Sequence, residues 1–198
     1  MQKHLFSNFL IIVLLFSACK GKNAKPLQTV DQPEEPQTFF PVTDFLLGQL
    51  RELDSIPITP LKIIIEDDKR DSVWMSRKEM RKFAAPFLNP VIDSSKMNNL
   101  FSEKSFMDQT INAVTLTYDP RNGIPDSIKL NHFDVYIDPQ QNKVERIYLV
   151  KEEIKNEETI TTQLTWEVGK WCSIRTISQE PKMLPKVHEE IMKWNFDD

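Results

Sequence analysis

The chain has 198 residues, 40% of them hydrophobic, with 25 Lys and Arg against 29 Asp and Glu for a net charge of −4. A mildly acidic chain with both signs interspersed argues against nucleic acid as a partner, and the length suits one domain with its own core. Of two cysteines, Cys19 and Cys172, the first is taken up by the N-terminal segment described next, which leaves Cys172 without a partner, so no disulfide framework is expected.

Lys3 precedes an apolar run from Phe9 to Phe16, and the run closes on Ser17-Ala18-Cys19. A short positive region, an apolar stretch too short to span a bilayer comfortably and small residues before a cut site describe a secretory signal. With Cys19 directly after those small residues, the stretch resembles the lipobox of bacterial lipoproteins. That resemblance implies removal of residues 1–18, acylation of Cys19 and anchoring of the chain to membrane through lipid. Two or more acyl chains anchor stably where one binds only marginally. Lys20-Gly21-Lys22 lacks both the aspartate that resembles an inner-membrane retention signal and the acidic cluster that resembles a surface-export signal. The implied place is therefore the outer membrane, facing the periplasm.

Residues 19–41 hold Pro26, Pro33, Pro36 and Pro41 among polar side chains, which predicts a disordered, semi-extended tether. A single globular domain is expected over 42–198. Thr43 is placed to cap a helix carrying Phe45, Leu46, Leu50 and Leu53 at helical spacing, with Pro57 and Pro60 beyond its end. Leu61 to Glu66 and Ser72 to Met75 flank Asp67-Asp68-Lys69-Arg70 and predict a short hairpin. Ser76-Arg77-Lys78-Glu79 is a capping-box sequence opening a second helix, with Met80, Phe83, Ala84 and Phe87 on one face and Pro86 and Pro90 ending it. A short helix is expected around Ser95 to Phe101.

Five runs of strand composition follow, at 112–118, 128–137, 144–150, 160–168 and 171–177, separated by turn residues. After Pro185, the spacing of Val187, Ile191 and Trp194 predicts a last helix packed on the sheet. The expected fold is thus α+β: N-terminal helices and a short hairpin, then a five-stranded antiparallel meander and a C-terminal helix. In element order it resembles the curved-sheet NTF2-like domains and the small helix-plus-sheet modules of outer-membrane assembly lipoproteins.

Signals for chemistry are sparse. His132 and Asp134 lie two apart on a strand and share a face, which suits a metal site or a base with its orienter, yet no HxxH, HExxH or cysteine pair supplies further ligands. His188 stands alone on the expected last helix. Cys172, in an alternating apolar stretch, reads as a small core residue. Neither a phosphate-cradling glycine loop nor a Gly-x-Ser-x-Gly elbow is present. A two-residue turn at Gly169-Lys170 is expected to set Val168 opposite Trp171 and to place Trp166, Val168 and Trp171 on one sheet face. Such a cluster is either core, covered by Trp194, or a binding patch. Ser55, Ser72 and Ser127 each follow Asp and precede an apolar residue, similar to the acceptor pattern of a bacterial O-glycosylation system for envelope proteins.

The expectation is a non-enzymatic envelope lipoprotein without metal or cofactor, binding a protein partner in the envelope. The alternative is a carrier or receptor for a small apolar ligand or lipid held between sheet and helices.

Overall fold

The computed structural model describes residues 39–196 apart from positions 68 and 123. Cys19 and the rest of residues 1–38 lie outside the described residues. Helix α1 (Val42–Ser55) comes first, then the hairpin β1 (Leu61–Glu66) and β2 (Lys69–Trp74). Helix α2 (Arg77–Ala84) continues into a 3-10 turn (Ala85–Leu88), and a single helical turn, α3 (Ser94–Met97), follows. Seven strands complete the chain: β3 (Phe101–Asp108), β4 (Ala113–Pro120), β5 (Leu130–Asp138), β6 (Lys143–Lys155), β7 (Glu158–Glu167), β8 (Trp171–Gln179) and β9 (Lys186–Lys193). All nine form one sheet of order β2-β1-β9-β8-β7-β6-β5-β4-β3, with every pairing antiparallel.

The expected α+β arrangement with a five-stranded sheet and a C-terminal helix is therefore overturned. The five runs read as strands correspond to β4 to β8, but two further strands, β3 and β9, and the reach of the hairpin change the architecture. Pro185 to Trp194 is strand, not helix. Val187, Glu189 and Ile191 face one side and His188, Glu190 and Met192 the other. The strand's two edges are taken up by β1, with Ile63 opposite Ile191, and by β8, with Cys172 opposite Met192. A helix there would leave β1 and β8 each with an unpaired edge, and backbone groups at such edges need partners. The expected helix over 95–101 shrinks to α3, because Phe101 instead opens β3 opposite Pro120. Lys104 to Met107 of β3 are exposed in a row, so this edge strand shows no alternation to read.

The capping box forms as the sequence suggests: Ser76 N donates to Glu79 Oε2 at 2.7 Å, and Glu79 N donates to Ser76 Oγ at 3.4 Å. Thr43, in contrast, does not cap α1. Its hydroxyl accepts from Ile92 N at 2.7 Å while its own N–H donates to Ile92 O at 3.3 Å, which ties α1 to the loop before α3. Phe39 also belongs to the fold, packed 4.8 Å from the Tyr118 ring and 5.7 Å from Phe133, so the folded part reaches into the stretch read as tether.

Helices cover one sheet face. Val42, Leu46, Leu50 and Leu53 of α1 and Met80, Phe83 and Phe87 from α2 and its 3-10 extension share one buried cluster with Tyr118, Phe133, Val135, Ile147, Leu149, Leu164, Trp166, Cys172 and Met192. The opposite face is mostly polar, carrying Thr117, His132, Asp134, Tyr136, Tyr148, Thr165, Ser173 and Arg175. Strand alternation explains the division, since each polar residue has apolar neighbours on the helix side.

Candidate binding cleft

The helices leave one corner of their face incompletely covered. A cleft of about 410 Å³ lies between α2 and the strands β2, β1, β9 and β8. Ile64, Met75, Phe83, Pro86 and Ile174 give it an apolar lining, and Val73 and Trp74 of β2 form its outer wall. Lys62, Glu79, Lys82 and Glu190 supply charge at its borders. Lys62 Nζ lies 2.5 Å from Glu190 Oε1, a diagonal pair on the helix side of β1 and β9. Hydrogen bonds from Ser76 hold the Glu79 carboxyl below the usual carboxylate range, with Lys62 adding a smaller push in the same direction.

Among the described residues strand β2 pairs only with β1, and all six of its residues are exposed. No described strand pairs with its outer edge, where an added strand finds backbone partners except at Ser72, whose N–H already donates to Asp71 Oδ1 at 2.7 Å. Trp74 is 60% exposed, large for a tryptophan, with the Phe196 ring edge-on at 6.0 Å. The Lys193 ammonium sits 5.6 Å above the Phe196 ring. Sequence reading missed this site because Val73 and Trp74 look like ordinary strand residues. Only the place of β2 at the edge of the sheet exposes them.

The Trp166, Val168 and Trp171 group is not brought together. The turn places Glu167 opposite Trp171 and Trp166 opposite Cys172, one residue away from the expected register, with Lys170 N bonded to Glu167 O at 3.1 Å. Gly169, at φ +75°, allows that turn in a region L side chains rarely adopt. Trp166 is fully buried, 5.4 Å from both Phe87 and Trp194, while Trp171 stands on the other face and Val168 packs at the margin of the core. Trp194 covers Trp166, as the core reading expects, although it follows a strand rather than riding on a helix. Cys172 is buried beside it, and burial pushes its thiol well above the usual range.

His132 and Asp134 do meet, within a chain of polar contacts on the polar face. His132 Nε2 lies 3.0 Å from Asp134 Oδ2 and Nδ1 lies 3.0 Å from Asp119 Oδ1. Thr117 Oγ1 donates to Asp134 at 2.7 Å, Tyr136 OH donates at 3.2 Å, and Lys104 Nζ is 2.8 Å from Asp119. The Lys104 hydrogen bond, followed by that of His132, draws Asp119 below its ordinary range. Desolvation and the neighbouring Asp134 charge push the Tyr136 phenol up to about 12. The two ring nitrogens point at different carboxylates, which suits cross-linking of β4 to β5 rather than ligation of one ion. Among the described residues no group of three or more His, Cys, Asp and Glu is arranged to hold a metal. His188 sits on β9, its Nδ1 2.9 Å from Glu66.

Lys151 is another feature that sequence reading did not single out. Its ammonium donates to the carbonyls of Pro86 and Asn89, fastening the segment after α2 to β6, and burial lowers its pKa to about 8. Ser55, Ser72 and Ser127 are all exposed, at the end of α1, on β2 and in the β4–β5 loop. No described helix is long and apolar enough to cross a membrane. Comparison with protein-family models, with curated proteins and with solved structures finds no match.

Proposed function

We propose that the chain is a lipid-anchored envelope lipoprotein whose domain is a non-enzymatic binding module for an extended segment of a partner protein, working at the outer membrane and facing the periplasm. The lipobox-like stretch ending at Cys19 supports the anchor. The observation that carries the binding reading is the free edge of β2 beside an apolar-lined cleft, with Trp74 held out at its rim. An added strand gains main-chain hydrogen bonds along β2, and its alternate side chains on the helix side reach the cleft; this joins affinity to specificity.

A photo-crosslinking residue at position 74, in the native envelope, tests this reading. It predicts one dominant envelope protein crosslinked at position 74, absent when the same residue stands at Gln140 in the far β5–β6 turn, and lost with Cys19→Ala. Equal yields at both positions contradict it.

A second reading is favoured by the cleft volume, which lies in the range of small-ligand sites. A carrier of a small apolar molecule would retain it through native purification, where mass spectrometry detects it, and would lose it on Phe83→Lys.

A further inference from the structure

We infer that the segment added to β2 runs antiparallel to it and carries a lysine or arginine opposite Asp71, with an apolar residue two positions earlier, opposite Val73; this rests on the strand-addition reading above. The ladder fixes which groups of β2 face outward. Leu61 pairs with Trp74, and the next pair is bonded from Met75 N to Pro60 O at 2.9 Å. Bonded and unbonded pairs alternate along an antiparallel ladder, so Asp71 and Val73 turn their backbone groups toward β1, while Arg70, Ser72 and Trp74 turn theirs outward. At Ser72 the outward N–H is already taken, because it donates to Asp71 Oδ1 at 2.7 Å. A partner carbonyl set opposite Ser72 meets the Asp71 carboxylate where it needs a donor, and two acceptors repel. An added strand therefore docks fully only when that carboxylate is drawn away.

Position 71 defines what can draw it. In such an addition Asp71 heads an unbonded pair, whose side chains lie closest across the strands, and opposite charges there attract. A lysine or arginine at that place takes the carboxylate in an ion pair and returns the Ser72 N–H to the incoming strand. Neither Asp71 nor Arg70 forms an ion pair among the described residues. The charges around them are otherwise engaged: Lys62 is held by Glu190, Glu66 by His188, and Lys69 lies opposite Glu66. Strand alternation puts the partner residue opposite Val73 on the same side, over the cleft that Val73 lines with Ile64, Phe83 and Ile174, so an apolar side chain is buried there. Opposite Arg70, on the other face, the charge rule favours an acid. A second copy of β2 does not fit this pattern, since two positions before its cations Lys69 and Arg70 stand Asp67 and Asp68.

The test titrates the full mature chain, in detergent, with the fluorescent peptide Phe-Val-Thr-Lys-Glu-Thr between Gly-Ser flanks, and with its counterpart carrying Glu in place of Lys; anisotropy reads binding. The inference predicts that the lysine peptide binds wild type about fivefold more tightly than the glutamate peptide. Asp71→Lys should reverse that order, and Asp71→Ala should strengthen the glutamate peptide by freeing the Ser72 N–H. Ser72→Pro removes the outward N–H, spares the bonds to β1 and should abolish binding of both peptides. Equal binding of the two peptides to wild type, lost with Ser72→Pro, overturns the inference and leaves strand addition standing. Failure of both peptides to bind, while position 74 still crosslinks one envelope protein, does the same. Binding that survives Ser72→Pro, with no crosslink at position 74, overturns both.

Discussion

Replacing Trp166 by Ala tests the packing of the sheet against its helices and the register of the β7–β8 turn together. The Trp166 side chain is fully buried between Phe87 and Trp194, and a buried tryptophan removes about 150–250 Å² from water. At about 25 cal/mol per Å² that burial is worth about 4–6 kcal/mol. The indole N–H has no hydrogen-bond partner among the described residues, which offsets the gain by about 1–3 kcal/mol. The alanine variant should therefore lose about 3 kcal/mol, near the low end for such truncations. Trp166→Phe keeps the ring contacts and removes the unsatisfied donor, so its loss should stay below about 1.5 kcal/mol. Trp171→Ala, on the opposite face and partly exposed, should also lose less than about 1.5 kcal/mol. Urea unfolding followed by circular dichroism measures all three. Equal losses for the 166 and 171 alanine variants, or a phenylalanine variant as weak as the alanine one, would refute the register and the burial assigned here.

Lys151 predicts a pH dependence. Its folded pKa is near 8 against an ordinary 10.5, so between those values the unfolded chain binds more protons and stability rises with pH. The gain is complete above the unfolded pKa and is lost as pH falls through 8. After discounting for partial exposure it should reach about 1–2 kcal/mol. Lys151→Met should remove this rise, so the stability difference between wild type and variant must change from pH 7.5 to 9.5; a flat difference contradicts it. Above pH 10 the raised phenol of Tyr136 acts with the opposite sign, because the folded state keeps a proton that the unfolded state releases. Asp134, buried and bonded to Thr117, Tyr136 and His132, should lose about 1–3 kcal/mol as Asn, whereas the more exposed Asp119→Asn should lose under about 1 kcal/mol by the same denaturant assay. Glu157 sits at φ 69° in the two-residue β6–β7 turn beside Asn156 at φ 50°, so Glu157→Gly should raise the melting temperature, by up to about 1 kcal/mol in stability.

Some of this fold is legible in the sequence because the signal is local. The Ser76-to-Glu79 capping box and the alternation of Ile160 through Val168 each specify an element without help from distant residues. Other elements exist only through their partners. Val187, Ile191 and Trp194 fit a helical repeat, yet the segment becomes a strand because β1 and β8 flank it, and a pairing between residues so far apart leaves no local trace. β3 hides for the opposite reason: an exposed edge strand needs no apolar alternation. The turn at Gly169 shows how far one residue matters, since the shift of register moved Trp171 to the other face from Trp166. The cleft was illegible because its lining comes from α2 and four strands spread over the length of the chain.

The proposed function at the envelope depends on Cys19, so intact-mass spectrometry of the mature protein from its native envelope tests the account most directly. The account predicts a chain beginning at Cys19 and carrying the added mass of two or three acyl chains. A mature chain that begins elsewhere, or whose Cys19 is a free thiol, would contradict it.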